Sequence, residues 1–266
     1  MELITISDKQ TLLPHREAIA VLFQDCFAVA LSPMLWDWAY IANPNGEPVV
    51  SLCYDEGRLV GHYAMVPMPL RAGAKACNSY LSMTTMVATS HRQHGLFVKL
   101  AAASYERAIG LGIDFVMGFP NAASTPGFRK RLNWVLPEPD YVAAVSKAQL
   151  LGAVAQLQHC TAHLYGLDLE QPALRAWRMA RPGAAYTWQK GLLCKSFNGG
   201  LDLMYFACAE ALESLPDEGT IHVLVPATFD LFASSKAFDY QFGGIALASA
   251  FEPTQIKRQM CLSDVF

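Results

Sequence analysis

Apolar and polar positions along this chain follow two different periods, and the changes between them divide it into elements. Leu3 to Ile6 reads as a short strand. Ser7 and Asp8 are both candidate caps for a helix running to about Phe27, in which Leu12, Ile19, Leu22, Phe23 and Phe27 are loosely helix-spaced. A second helix holds Leu35 to Ile41, and Asn43-Pro44-Asn45-Gly46-Glu47-Pro48 then interrupts the chain as a loop. Val49 to Tyr54 and Leu59 to Pro67 are strand-like runs joined by Asp55-Glu56-Gly57-Arg58, which reads as a tight hairpin. A third strand runs from about Ser79 to Ala88.

From Phe97 to Leu111 the period becomes helical. Phe97, Leu100, Ala101, Ala108 and Leu111 share one face, with Lys99, Glu106 and Arg107 opposite, and Gly110 and Gly112 suit the helix end. Ile113 to Phe119 is a buried strand, completing a strand-loop-helix-strand unit whose two strands are expected to be parallel neighbours. Beyond Pro137 the pattern partly starts again. Gly191 to Phe197 reads as a strand, Asn198-Gly199-Gly200 as a turn, Leu201 to Leu215 as a helix, Thr220 to Val225 as a strand and Ala227 to Ala237 as a short helix. Ile113 to Trp134 and Ile221 to Phe242 share this order, which suits either a diverged second copy of the unit or a generic α/β extension.

Composition narrows the classes. With 266 residues, 53% hydrophobic, the chain has ample material for a buried core. Its net charge of -3 and 16% charged residues leave no basic excess for a phosphate backbone, so nucleic acid is not an expected partner. The seven cysteines form no C-x-x-C pair and are odd in number, which suits reduced thiols and a cytoplasmic location. Met1 to Ile6 lacks the features of a secretory signal. Tyr141 to Leu157, the most apolar stretch, is interrupted by Ser146, Lys147, Gln149 and Gln156; it reads as a strand followed by a helix, and no membrane association is expected.

The loop His91-Arg92-Gln93-His94-Gly95-Leu96-Phe97 carries the chemistry. A strand-to-helix loop gathers unpaired backbone N–H groups at the positive end of a helix dipole, which suits a phosphate. Gly95 lets the backbone approach closely, Arg92 adds a charge, and His91 and His94 can donate hydrogen bonds. Neither G-x-x-x-x-G-K-[ST] nor G-x-G-x-x-G is present.

Arg92-x-x-Gly95-x-Phe97 resembles the R/Q-x-x-G-x-G/A signature of the GNAT superfamily of CoA-dependent N-acyltransferases. The resemblance runs from about Leu3 to Trp134: helix pair, hairpin, signature strand and loop, then Asn121 after the next strand, with Trp134 where the family often has Gly-Phe. Phe97 departs from the final Gly or Ala. Gly95-Leu96-Phe97 looks like the branch that includes amino-sugar N-acyltransferases of surface-polysaccharide pathways, as do Trp177-Arg178, Pro182, Tyr186, Lys195 and the terminal Asp264-Val265-Phe266.

The resemblance implies a mixed-sheet α/β fold: residues 1–145 as a GNAT-like acyl-CoA-binding domain, and 146–266 as a second, degenerate GNAT-like domain contributing to the acceptor pocket. It implies that amides of Gln93, His94, Gly95, Leu96, Phe97 and Val98, with Arg92, bind the CoA pyrophosphate. Main-chain groups of Met86 and Val87 would pair with the pantetheine arm, and Asn121 would lie near the thioester. The co-substrate is then acetyl-CoA or another short acyl-CoA, with no metal. The acceptor is the amine of a nucleotide-linked amino sugar; the alternatives are another small amine, or a non-catalytic acyl-CoA sensor.

Amide formation from a thioester needs a neutral amine, a stabilised oxyanion and a proton for the leaving thiolate. The family often takes the oxyanion contact from the signature strand, here the Val87 N–H, and the acid from a tyrosine after Asn121. Ser124 to Leu132 holds no tyrosine. His62, beside the signature strand, is the first candidate base, against the reading of a hydrogen-bonded structural histidine; Asp140 and Tyr141 are weaker candidates. His159-x-x-x-His163 has a spacing that can hold zinc but lacks a third ligand, so a polar helix face is the simpler reading. Arg129-Lys130-Arg131 suits either the nucleotide 3′-phosphate or a solvated face, and Trp36, Trp38 and Tyr40 either an acceptor pocket or the core.

Overall fold

The structure is a computed structural model that describes residues 1–161, 163–197, 199–247 and 251–263. Strand β1 (Glu2–Ile6) leads into α1 (Lys9–Leu12), capped by Asp8, whose Oδ1 accepts from the Thr11 amide at 2.7 Å. Pro14 sits in a 3₁₀ turn, Leu13–His15, so the expected first helix is broken before α2 (Arg16–Phe27). The second expected helix is also split, into α3 (Pro33–Trp36) and a π-helical turn, Asp37–Ile41. Strands β2 (Val49–Asp55) and β3 (Arg58–Pro67) form the expected hairpin, with Glu56 and Gly57 at φ 49 and 79. A small hairpin follows, β4 (Leu70–Ala72) and β5 (Lys75–Cys77), before β6 (Ser79–Val87), α4 (Leu96–Gly110), β7 (Phe115–Gly118) and α5 (Thr125–Arg131).

The remaining elements are β8 (Asp140–Val145), α6 (Lys147–Thr161), α7 (Pro172–Met179), β9 (Tyr186–Gln189), β10 (Leu192–Phe197), β11 (Gly200–Phe206), β12 (Ile221–Val225), β13 (Lys236–Tyr240) and β14 (Gly243–Ala246). They give two six-stranded mixed sheets, ordered β1-β2-β3-β6-β7-β14 and β13-β8-β12-β11-β10-β9. No helix among the described residues is long and apolar enough to cross a membrane.

The expected helix from Leu201 to Leu215 is a strand, β11, followed by a 3₁₀ turn at Ala209–Ser214. Leu201 and Leu203 pack into one core while Met204 and Tyr205 face the other, so β11 is buried on both sides. A strand of that kind reads as a continuous apolar run, which helical spacing also fits. The helix expected from Ala227 to Ala237 reduces to a 3₁₀ turn, Ala233–Ser235, ahead of β13. Asn198 and Asp264-Val265-Phe266 lie outside the described residues.

Four strands of the second sheet, β9-β10-β11-β12, repeat the order of β2-β3-β6-β7 in the first. In the first, β2, β3 and β6 run antiparallel, α4 crosses over, and β7 joins parallel to β6 from Ser79↔Phe115 to Leu81↔Met117. In the second, β9, β10 and β11 run antiparallel and β12 joins parallel to β11 at Leu201↔Ile221 and Asp202↔His222. The turn at Gly199-Gly200 therefore belongs to an antiparallel hairpin and is not the counterpart of the loop before α4. The expected boundary at 145 moves ahead of Asp140, because β8 pairs with β12 and β13 of the second sheet. The halves are not independent either. β14 returns to pair with β7, and the first core takes in Val142, Leu193, Met204, Leu224 and Phe242.

Candidate active site

Strand β6 pairs with β7 only over its beginning, from Ser79 to Leu81. Beyond Leu81 the β7-facing edge of β6 is open, and a groove occupies the gap. Its first part, about 510 Å³, is lined by Val87, Arg92, Phe97, Lys130 and Arg131 among others; its second part, about 480 Å³, by Ser82, Thr84, Phe119, Asn121 and Trp134. The parts share Phe27, Thr85, Arg92, Ala123, Ser124 and Phe128, which makes them one continuous channel.

A β-bulge shapes the open edge. His62 lies opposite Met86 and Ala64 opposite Met83, so Tyr63 alone faces both Thr84 and Thr85. Thr84 takes φ 47, and two buried groups hold it there: the His62 Nδ1–H donates to its carbonyl at 2.7 Å, and the Tyr40 hydroxyl lies 2.6 Å from its Oγ1. His62 is fully buried, and burial lowers its imidazole pKa to about 4. Its Nδ1 proton is committed to Thr84, and its Nε2 has no partner. It lines neither part of the groove. This geometry is that of a neutral brace under the bulge, in place of the expected base.

The strand-to-helix loop is built from a 3₁₀ turn, Thr89–His94, and Gly95 in the left-handed region at φ 67, where a side chain would be strained. The amides of Val98 and Lys99 turn back to the Gly95 carbonyl at 3.1 and 3.2 Å, while those of Leu96 and Phe97 have no backbone acceptor. The set expected from Gln93 to Val98 thus narrows, with the Val98 amide already used. Arg92 lines both parts of the groove; Gln93, His94 and Gly95 line neither. His91 turns away, its Nε2 3.1 Å from Asp55 on the β2–β3 hairpin, and so anchors the loop.

Val87 lies on the open edge of β6. Its carbonyl accepts from the Cys26 thiol at 3.8 Å, and Cys26 also lines the groove. In an extended strand the N–H and C=O of one residue point the same way, so the Val87 N–H faces the groove as well. Asn121 opens α5: its side-chain oxygen accepts from the Ser124 amide at 2.9 Å, leaving the Nδ2 hydrogens. α5 holds no tyrosine, and among the described residues no Asp, Glu, His or Tyr lines the groove.

A buried chain behind the second part escaped the sequence. Trp134 Nε1–H donates to the Tyr105 hydroxyl at 2.7 Å, the Tyr105 and Tyr63 hydroxyls lie 2.8 Å apart, and Ser82 donates to Tyr63 at 3.0 Å. Only a pairing of β6 with α4 and the segment after α5 could have shown it. Trp36, Trp38 and Tyr40 are core residues, and none lines the groove. The second half supports the groove from behind, through Phe119 against Tyr240 and Phe242 at 5.2 and 5.3 Å between ring centroids. Asp140 lies far along the chain in the second sheet, paired with Arg258 at 2.6 Å, and Tyr141 donates to the Phe229 carbonyl. Among the described residues no group of three His, Cys, Asp or Glu is placed to hold a metal; the His159 side chain lies outside them.

Residues 15–136 match the sequence model of the acetyltransferase (GNAT) domain. The matched stretch is a little under half of the chain. Solved structures extend the likeness over both halves. A GCN5-related N-acetyltransferase from Kribbella flavida aligns at TM-score 0.60 and 11% identity, over 91% of this chain and 70% of its own. A probable N-acyltransferase from Enterococcus faecalis aligns at TM-score 0.65 and 6% identity, over 93% and 73%. A putative acetyltransferase from Pyrococcus horikoshii aligns at 0.51 and 12% identity, over 96% and 92%. At these identities they establish the fold. No curated protein matches the chain.

Proposed function

We propose that this chain moves an acetyl or short acyl group from CoA to the primary amine of a nucleotide-linked amino sugar, of the kind built into surface polysaccharide. The observation that carries the reading is the groove itself. Arg92, Lys130 and Arg131 gather at its first part with Phe97, whose amide has no backbone acceptor among the described residues, which suits the phosphates of CoA. The second part offers the aromatic side chains Phe27, Phe119, Phe128 and Trp134 and the hydroxyls of Ser82 and Thr84. No carboxylate lines it among the described residues, so it is poorly matched to a polycation such as a polyamine or an aminoglycoside and better matched to a sugar carrying a base and phosphates.

In this reading the Val87 N–H polarises the acyl carbonyl and takes the growing negative charge, and the open edge of β6 near Met86 and Val87 holds the pantetheine arm as an added strand. Asn121 Nδ2 lies on the wall facing that edge and orients the thioester. Proton transfers pass through water, because the described groove presents no acid or base of suitable pKa. The unbridged cysteines at 26, 53, 77, 194, 208 and 261 support a cytoplasmic setting.

Calorimetric titration of acetyl-CoA, followed by thiol release against a panel of amines, tests the reading. It requires acetyl-CoA binding, and faster release with nucleotide amino sugars than with amino acids, polyamines or aminoglycosides. Release confined to one of the other amines would replace the acceptor and keep the transferase. Absence of acetyl-CoA binding would remove the whole reading.

A further inference from the structure

A second cavity, of about 530 Å³, opens at the seam between the halves and shares no lining residue with the groove. Its walls come from the β4–β5 hairpin, the segment before α7, the end of β11 and the chain near residue 258. These pieces are laced together by backbone pairs: Arg71 exchanges both bonds with Gly166 at 2.8 Å, and Tyr165 receives from Lys257 and donates to Gln255, each at 2.8 Å. The Lys257 stem crosses Gly166, where a Cβ would lie 3.5 Å from it. Two cations, Arg71 and Lys257, are thereby brought to one cavity wall.

Neither cation has an ion-pair partner among the described residues. Lys257 is held over the Phe206 ring at 4.8 Å, and burial lowers its pKa. A partly buried ammonium without an anion is costly. Beside it, Gln259 is 6% exposed. Its Nε2 donates to the Phe206 carbonyl at 3.2 Å, which fixes the amide orientation and identifies the remaining atom as oxygen. That Oε1 is shut off from solvent and has no hydrogen-bond partner among the described residues. Asp168 completes the lining, its oxygens accepting from the Glu170 amide and Gln171 Nε2 with lone pairs to spare. An adjoining void of about 30 Å³ also touches Lys257 and Gln259 and has room for about one water.

We propose that the seam cavity is a second ligand site, for a free α-amino acid whose carboxylate meets Arg71 and Lys257 and whose ammonium meets Asp168. The ligand supplies the missing anion to the two cations. It touches both halves through the hairpin and the chain near residue 258, so its occupancy bears on how they are held together. This site is independent of the acceptor assigned to the groove.

Titrating L-alanine, L-serine and L-glutamate into the CoA-saturated protein, with L-lactate and ethanolamine as single-charge controls, tests the proposal. At least one amino acid is expected to bind at least about tenfold more tightly than both controls. Arg71→Gln and Lys257→Gln should each weaken that binding by about tenfold or more and leave acetyl-CoA binding unchanged. Arg92→Gln should do the reverse, which separates this site from an amino acid entering the groove as acceptor. Arg71 is exposed, so its variant serves even if Lys257→Gln fails to fold. No titration by any amino acid at about 10 mM overturns the site. Binding that survives both seam substitutions, or controls that bind as tightly, overturns it as well.

Discussion

Trp38 and Trp177 stack at 4.7 Å with their planes 8° apart, and each donates its indole N–H to the other's carbonyl, at 2.6 and 2.9 Å. The exchange joins the π-helical turn of the first half to α7 of the second. A π turn widens the helix by one residue per hydrogen bond, and here it turns Trp38 toward Trp177 while Trp36 stacks on Tyr40 at 5.2 Å. The two halves are thus fastened by an aromatic pair as well as by the returning strand β14. Trp177→Ala removes the stack and the indole donor to the Trp38 carbonyl. A stability loss of about 3–5 kcal/mol is expected in denaturant unfolding. Trp177→Phe, which keeps much of the ring and leaves the Trp38 carbonyl unpaired, should cost about 1–3 kcal/mol.

His62 supplies a test that depends on the sign of a shift. Its folded pKa is about 4 against 6.5 for an ordinary imidazole, because burial opposes the charge. Between those values the unfolded chain binds a proton that the folded chain does not, so stability falls as pH drops through the window from 6.5 to about 4. The full loss is about 3 kcal/mol. His62→Asn keeps an N–H near the Thr84 carbonyl and removes the titration, so it should flatten this part of the stability curve. Its kcat/KM profile should keep the wild-type shape. Loss of an ionisation from that profile in the variant would restore His62 as the base.

The parts of the fold set by local chemistry were readable in advance: Asp8 as a cap, Glu56-Gly57 as a hairpin turn, Gly95 ahead of α4. Each depends on the backbone preferences of a few adjacent residues. What escaped depends on distant pairings. Whether Leu201 to Phe206 is a strand or a helix is decided by two cores meeting across it, and β8 joins the second sheet because β12 and β13 arrive beside it. His62 looked like a base because its strand borders the signature strand; that it points into the bulge depends on a register shift that no spacing rule reveals. The chain from Trp134 to Ser82 joins residues whose pairing requires the finished sheet.

Arg92 is the charge common to both parts of the groove, so its removal should be felt in CoA binding before catalysis. Arg92→Gln is expected to weaken acetyl-CoA by about 10- to 100-fold, the loss of charge-assisted bonds to phosphate. Lys130→Gln and Arg131→Gln, on α5, should each cost less, and their effects should shrink as salt rises. Calorimetry at two ionic strengths separates the three; an unchanged affinity in Arg92→Gln would place the phosphates elsewhere.

Trp134 connects the groove wall to α4. Its indole N–H fills the Tyr105 hydroxyl, its ring lies 4.5 Å from Phe128, and Phe128 lies 5.4 Å from Phe97 beside the helix start. Trp134→Phe keeps an aromatic ring against Phe128 and deletes the donor, leaving the Tyr105 end of the buried chain one partner short. The expected stability cost is about 1–3 kcal/mol. Because Ser82 and Trp134 line only the second part of the groove, acetyl-CoA affinity should hold while KM for the amine rises or kcat falls. Tyr63→Phe cuts the same chain from the other end, next to Ser82, and should shift the same parameters in the same direction. Equal losses in acetyl-CoA binding and amine turnover in both variants would show instead that the chain supports the whole groove, with no particular bearing on the acceptor.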